Sequence, residues 1–202
     1  MAKPQAKKPD VAKALIEAAR KVLRRDGYAG FSTREVAEQA RVPLSQIHYH
    51  FGSKTGLVLA LFEHQNNELL SRQRSMFDDT SIPLSARWDR ACDYLDEDIA
   101  SGYVRTLQEL IAASWSDPEI AKAVQAAQFG WHSLLTDMAE RVSDEIGGLG
   151  PFTPKDAASL VANAFIGAES MFLLGMEKRG FPVRDCLRRI ADLIRITEQQ
   201  RK

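Results

Sequence analysis

Apolar residues recur along this chain at intervals of three and four, and no stretch alternates apolar with polar in the manner of a half-buried strand. Gly and Pro interrupt the recurrence every 8–30 residues or so, so the chain reads as successive helices of ordinary length. The fold class is all-α, with about nine helices. No repeat has a fixed period, which argues against a solenoid. With 45% of 202 residues apolar and 27% charged, the chain can bury one sizeable core, or a small domain resting on a larger one.

The helices can be placed from their punctuation. Val11, Leu15, Ala18 and Val22, with Ala12, Ile16, Ala19 and Leu23 beside them, mark a first helix over about 10–26, stopped at Asp26-Gly27. Ser32-Thr33-Arg34-Glu35 has capping-box spacing: Ser32 would accept from the Glu35 amide and Glu35 would reach back, starting a short helix that ends near Ala40. Pro43 biases Val42 away from helix and pre-sets a third over about 44–50. After Gly52-Ser53-Lys54, the positions Leu57, Leu61, His64 and then Leu69 or Leu70 mark a fourth to about Met76. Pro83 opens a helix to about Ser101, Tyr103–Trp115 forms another, and Asp117-Pro118 starts a long one to Gly147-Gly148. Thr153-Pro154 begins the next, which continues to Gly180, and Phe181-Pro182 leads into a last helix ending near Glu198.

A net charge of zero conceals an asymmetry. Residues 1–54 hold 11 Lys/Arg against 5 Asp/Glu, while residues 55–202 hold 16 against 22. One surface is thereby suited to a polyanion. No apolar run approaches the roughly 18 residues of a membrane span, and Lys3, Lys7 and Lys8 have no apolar stretch behind them, so neither membrane insertion nor secretion is expected. Cys92 and Cys186 lie 94 positions apart without a CxxC, which points to free thiols and a cytoplasmic protein. His48 and His50 do not face each other on a helix, and no metal or other cofactor is expected. GxSxG, HExxH and dinucleotide fingerprints are absent, and Gly52-Ser53-Lys54-Thr55 lacks the rest of a phosphate loop, so no enzymatic activity is expected.

Residues 33–54 have the length and polarity of a helix-turn-helix, in which the second helix enters the DNA major groove. Ala37 and Ala40 permit close helix packing over a small core of Val36, Val42, Ile47 and Phe51. Phe31–Lys54 resembles the helix-turn-helix of TetR-family transcriptional regulators through Thr33, Val36-Ala37, Ala40, Val42, Ile47, Tyr49-His50-Phe51, Ser53 and Lys54, and with Gly27 and the first helix the resemblance covers about 10–65. The chain departs from the family pattern at Arg41, where Gly is usual, at Pro43 instead of Ser, at Ser45 and at His48 instead of Tyr.

This resemblance implies a flexible basic tail over 1–9, a helix-turn-helix DNA-binding domain over 10–54, and an effector-binding and dimerisation domain over 55–202. Thr33 and Arg34, at a helix N-terminus, are assigned to phosphate, and Lys54 resembles the family's phosphate-contacting lysine. Leu44, Ser45, Gln46, His48 and Tyr49 project from the recognition helix, with Gln46 the candidate for pairing with adenine. Lys3, Lys7 and Lys8 would act as an arm along the DNA backbone or minor groove.

The larger domain would bind a small hydrophobic or amphipathic effector between Tyr103, Leu107, Trp115, Phe129, Phe165 and Phe172, with His132 and Glu169 as polar anchors; those two facing water instead is an equal alternative. Trp115, Asp117-Pro118-Glu119 and Trp131 bear a faint likeness to the choline-responsive BetI-like branch, without fixing the effector as choline. Ala157, Leu160, Ala164, Ala168 and Met171, with Leu187, Ile190 and Ile194, are expected to form a homodimer interface as a four-helix bundle. The implied function is repression from a near-palindromic double-stranded operator, relieved by the effector. Activation, ligand-independent action through a protein partner, and more remotely catalysis in the C-terminal cavity are the alternatives.

Overall fold

The computed structural model describes residues 10–200, so the expected arm at Lys3, Lys7 and Lys8 lies outside the described residues. All regular structure among the described residues is helical: α1 (Val11–Gly30), α2 (Thr33–Ala40), α3 (Ser45–Phe51), α4 (Lys54–Asp78), α5 (Leu84–Ser101), α6 (Tyr103–Ser114), α7 (Pro118–Ile146), α8 (Pro154–Leu173) and α9 (Val183–Gln199), with a 3-10 turn at Met176–Arg179. By contact the chain forms two compact units, one ending at His64 and the other beginning at Gln65. The division falls inside α4 because its first turns, with Leu57, Val58, Leu61 and Phe62 all buried, belong to the first unit.

In the first unit, Leu15, Ala19 and Val22 of α1, Val36 of α2 and Ile47 of α3 are fully buried. Helix α1 breaks at Gly27 (φ 71°, ψ −179°) and resumes for one short turn. At α2, Ser32 Oγ accepts from the Glu35 amide at 3.5 Å, but the reciprocal half of the expected capping box is replaced: Glu35 accepts from Arg25 Nη2 at 2.6 Å. A guanidinium is a stronger donor to a carboxylate than a neutral amide is. Helix α3 has Leu44 as its N-cap and no side-chain cap, since leucine carries no acceptor. Ser53 Oγ accepts from the Gly56 amide at 2.9 Å, and a Cβ at Gly56 would stand 2.0 Å from the Phe51 carbonyl oxygen, so only glycine permits this approach of α3 to α4.

In the second unit, α7 packs along α8, α5 along α9, and α6 along α7. One core cluster joins Met76, Cys92, Leu95, Val104, Phe165 and Leu187; another joins Leu134, Leu135, Met138, Ala158 and Ala162. Both cysteines are free, Cys92 buried and Cys186 exposed. Ion pairs tie α5 to α9: Arg188 meets Asp93 at 2.9 Å and Asp96 at 2.6 Å, and Arg184 meets Asp96 at 2.6 Å. Trp88 Nε1 donates to the Leu187 carbonyl at 2.7 Å.

Three placements differ from the sequence reading. The helix expected to reach Gly180 ends at Leu173, because Gly175 adopts φ 74° and the chain tightens into the 3-10 turn; the apolar run Met171–Met176 masks this stop. On α9, Leu187 is buried while Ile190 and Ile194 are half-buried, so this stripe faces its own core; the exposed apolar residues are Leu193 and Ile196. On α8, Ala168 is buried and Ala157 half-buried, whereas Leu160, Ala164 and Met171 are exposed. Periodicity locates an apolar stripe without saying whether the chain itself covers it.

Arg41 ends α2 in the left-handed region (φ 56°, ψ 42°), the one non-glycine with positive φ among the described residues. An L-residue there is strained relative to glycine. Arg41→Gly is therefore expected to raise unfolding stability by about 0.5–1 kcal/mol, read as a higher urea midpoint at unchanged m-value.

Candidate nucleic-acid interface and interior cavity

Two features of this fold can meet a ligand. In the first unit, α2, the Arg41 turn and α3 form the expected helix-turn-helix. Ile47 anchors α3 inward; Ser45, His48 and Tyr49 are exposed, Tyr49 at 80%, while Leu44 and Gln46 are half-buried. His48 Nδ1 lies 3.1 Å from the Gly52 carbonyl; since a carbonyl only accepts, Nδ1 carries the proton and Nε2 is left as the ring's other polar atom. Thr33 is half-buried and Arg34 exposed at the start of α2. Lys54 Nζ sits 5.2 Å from the centre of the Tyr28 ring and 5.9 Å from that of Phe31, a cation-π seat that holds the ammonium at the beginning of α4.

The second unit contains a cavity of about 50 Å³ walled by α4 to α8. Of the residues assigned to an effector site, it brings together Tyr103, Leu107, Phe165 and Glu169. Trp115 and Phe129 lie outside it, 83% and 76% exposed. His132 is half-buried with Nδ1 2.9 Å from the Gln128 carbonyl, and Phe172 packs under Arg184, whose guanidinium is 4.6 Å from its ring centre. Aromatic residue type marks apolar bulk, not the direction in which a helix presents it. A second, almost wholly apolar cavity of about 230 Å³ lies among α4, α5, α7, α8 and α9, beside Phe77, Trp88, Leu135 and Met138.

The smaller cavity carries the polar groups. Tyr103 donates to Asn66 Oδ1 at 3.0 Å, and Gln108 Nε2 donates to Glu169 Oε2 at 3.1 Å. Trp131, which the sequence reading names only for its BetI-like likeness, also lines it, as do Asn66, Gln73, Asp98 and Gln128, which that reading does not mark. The signal was present for two of them: Phe62, Asn66, Leu69, Gln73 and Met76 follow a four-three spacing, so two amides occupy positions of an otherwise apolar stripe. Asp98 and Gln128 have no such mark.

Burial dominates the electrostatics. Desolvation pushes the Glu169 carboxyl up to about 7, opposed by the Gln108 hydrogen bond and reinforced by Asp98. Desolvation likewise raises Asp98 to about 6 although Arg72 binds it, and raises the Tyr103 phenol. A carboxyl raised on folding binds its proton more tightly in the native state, so its ionisation opposes folding as pH climbs from the unfolded value through the folded one. Glu169→Gln, which cannot ionise, is expected to gain stability over wild type on the order of 2–3 kcal/mol at pH 8 and little at pH 4. Denaturant melts at the two pH values measure this; an equal difference at both would mean that Glu169 does not titrate in this window.

Comparison with known proteins agrees with this architecture. The family model described as bacterial regulatory proteins, tetR family, matches residues 15–61, which span α1 to the first turns of α4. The HTH-type transcriptional regulator CymR of Pseudomonas putida is 31% identical over 115 residues, covering 55% of this chain and 54% of that protein, so the match spans about half the length of the curated relative. Among solved structures, FadR of Bacillus subtilis in complex with stearoyl-CoA superposes with a TM-score of 0.69 at 13% identity, covering 90% of this chain and 96% of that one. A transcriptional regulator from Saccharomonospora viridis in complex with choline gives 0.72 at 20% identity, covering 92% and 95%. With its exposed α3 and left-handed turn, the segment 15–61 is similar to the helix-turn-helix of bacterial regulatory proteins of the tetR family, and the all-helical frame shares the fold of these solved regulators.

Proposed function

We propose that this protein is a dimeric repressor that reads a near-palindromic operator through α3 and leaves it when a small molecule occupies the cavity walled by α4 to α8. The observation that carries the DNA-binding half is the outward face of α3, with Ser45, His48 and Tyr49 free to reach base edges while Ile47 fixes the helix. Lys54 and the α2 N-terminus with Thr33 and Arg34 supply the phosphate contacts that set register. Gln46 and Leu44, half-buried, flank that face.

The dimer is formed by α8 and α9. Leu160, Ala164, Met171 and Leu174 on or just after α8, and Leu193 and Ile196 on α9, stay outside the core, and a stripe of this kind on two helices is what a four-helix bundle between two copies covers. Two copies related by a two-fold axis present two copies of α3 to successive major grooves.

The effector site is assigned to the smaller cavity because polar groups converge there, and these give orientation and specificity that the larger apolar one lacks. Helix α4 supplies Asn66, Leu69 and Gln73 to its wall and begins at Lys54, so a ligand that prefers one setting of α4 biases DNA binding. That the fold holds such ligands elsewhere is seen in the stearoyl-CoA and choline complexes.

Binding to duplex from upstream of its own gene, at fixed salt with random duplex as competitor, tests the reading. Lys54→Ala should weaken specific and random binding together and reduce the slope of log K against log salt by about one. Gln46→Ala should change sequence preference more than overall affinity; equal losses on both DNAs would remove its reading role. The pair Leu160→Asp and Leu193→Asp should sediment as a monomer with unchanged helical circular dichroism, since both sites are exposed in one chain. A dimer persisting in that variant would move the interface elsewhere.

A further inference from the structure

The effector assigned to the smaller cavity has a chemical class that its walls specify, an inference resting on the reading of that cavity as the effector site. Its charged lining side chains are both carboxylates, Asp98 from α5 and Glu169 from α8. Asp98 is already engaged: Arg72 donates to it while also reaching Glu97 and lying 4.5 Å from the centre of the Tyr94 ring. Among the described residues Glu169 has no cation beside it. It is 9% exposed and takes one hydrogen bond, from Gln108, whose own carbonyl oxygen accepts from Ser170 at 2.7 Å. Among the described residues no donor reaches the other carboxylate oxygen, Oε1.

A second acceptor stands unmet in the same wall. Gln128 Oε1 is fully buried and has no hydrogen-bond partner among the described residues, and Gln128 lines the cavity from α7. Such a group is costly to leave unmet unless something donates to it. Around these acceptors stand Trp131, Phe165 and Leu107, an aromatic and aliphatic wall suited to the apolar part of a cation. The cavity, about 50 Å³, has space for roughly three to five water-sized probes, the scale of a compact headgroup rather than a large ring system.

We propose that the cavity binds a protonated organic amine, its N–H donors shared between Glu169 and Gln128 Oε1 and its short apolar part laid against Trp131 and Phe165. The cation supplies the charge that Glu169 lacks and the donor that Gln128 lacks, so the ligand completes an interior left incomplete. Binding then favours ionised Glu169, whose carboxyl burial holds near 7, and releases a proton. The charged and titratable groups around it are Asp98 on α5, Tyr103 on α6 and Arg72 on α4, with none in the cavity lining from α7. Ionisation of Glu169 alone makes the amine bind about tenfold tighter at pH 8 than at pH 6.

The test is isothermal titration of the full chain with n-butylammonium, 1-butanol and butyrate, which share a chain length and differ in charge. The proposal expects n-butylammonium to bind at least tenfold tighter than the other two at pH 8, with that margin and its pH dependence lost in Glu169→Gln. Equal binding of the alcohol, preference for butyrate, or no binding of any of the three overturns it, and these arms need no variant to fold. The effector reading is tested separately by operator release. n-Butylammonium that binds with the expected margin yet leaves operator affinity unchanged sustains the amine site and overturns the effector reading. Release by a neutral ligand that Glu169→Gln binds unchanged sustains the effector reading and overturns the amine.

Discussion

One uninterrupted helix has to serve two interiors, and the rest of the structure follows from that constraint. Helix α4 runs from Lys54 to Asp78, and its inward stripe changes character along its length. Leu57, Val58, Leu61 and Phe62 are all apolar and all buried, as a small three-helix core requires. From Asn66 onward the stripe alternates amide and hydrocarbon, Asn66, Leu69, Gln73 and Met76, with both amides buried. Amides are poor core fillers unless their hydrogen bonds are met. Asn66 meets the Tyr103 hydroxyl, so the second half of α4 is committed to a polar-lined interior by its own sequence.

That commitment accounts for the electrostatic state of the second unit. A carboxylate in a hydrocarbon interior is strongly disfavoured unless a cation or several donors accompany it. Asp98 has Arg72; Glu169 has one amide, and its ionisation is correspondingly hard. The pairs between α5 and α9 are of a different kind: Arg184 and Arg188 with Asp93 and Asp96 are partly exposed, and their worth is modest and screened by salt. They fix the register of two helices whose apolar contacts already hold them together.

How much of this could be read from the chain depended on whether the information was local. Helix starts at Asp10, Ser32, Asp117 and Thr153 are set by a side-chain oxygen beside its own amides, and they were legible. The position of the turn between α2 and α3 was legible too, because Pro43 biases Val42 away from helix, whereas the left-handed conformation of Arg41 was not. What was not legible needed a partner distant in sequence. Glu35 has a local bond available and gives it up for Arg25 on another helix. Trp115 and Phe129 look like cavity walls by residue type and stand in solvent. Asp98 and Gln128, the groups that give the cavity its chemistry, are ordinary polar residues on amphipathic helices until the fold brings α5, α7 and α8 around one space.

The same distinction explains why α9 misleads. Val183, Leu187, Ile190 and Ile194 form a continuous stripe and so do the shorter exposed positions Leu193 and Ile196; a helix carrying both has more than one apolar face. A helix at the surface of a monomer has no reason to keep the second face apolar, since exposed hydrocarbon contributes nothing to its own fold and promotes association. Helix α8 shows the identical doubling, with Ala158, Ala162 and Phe165 inward and Leu160, Ala164 and Met171 outward. Under the proposed dimer, two helices that each carry a buried stripe and an exposed one divide the work: the inner stripes close the protomer and the outer stripes would close the pair. The larger and more regular stripe is the one the protomer needs first, because without it no second surface would exist to be shared.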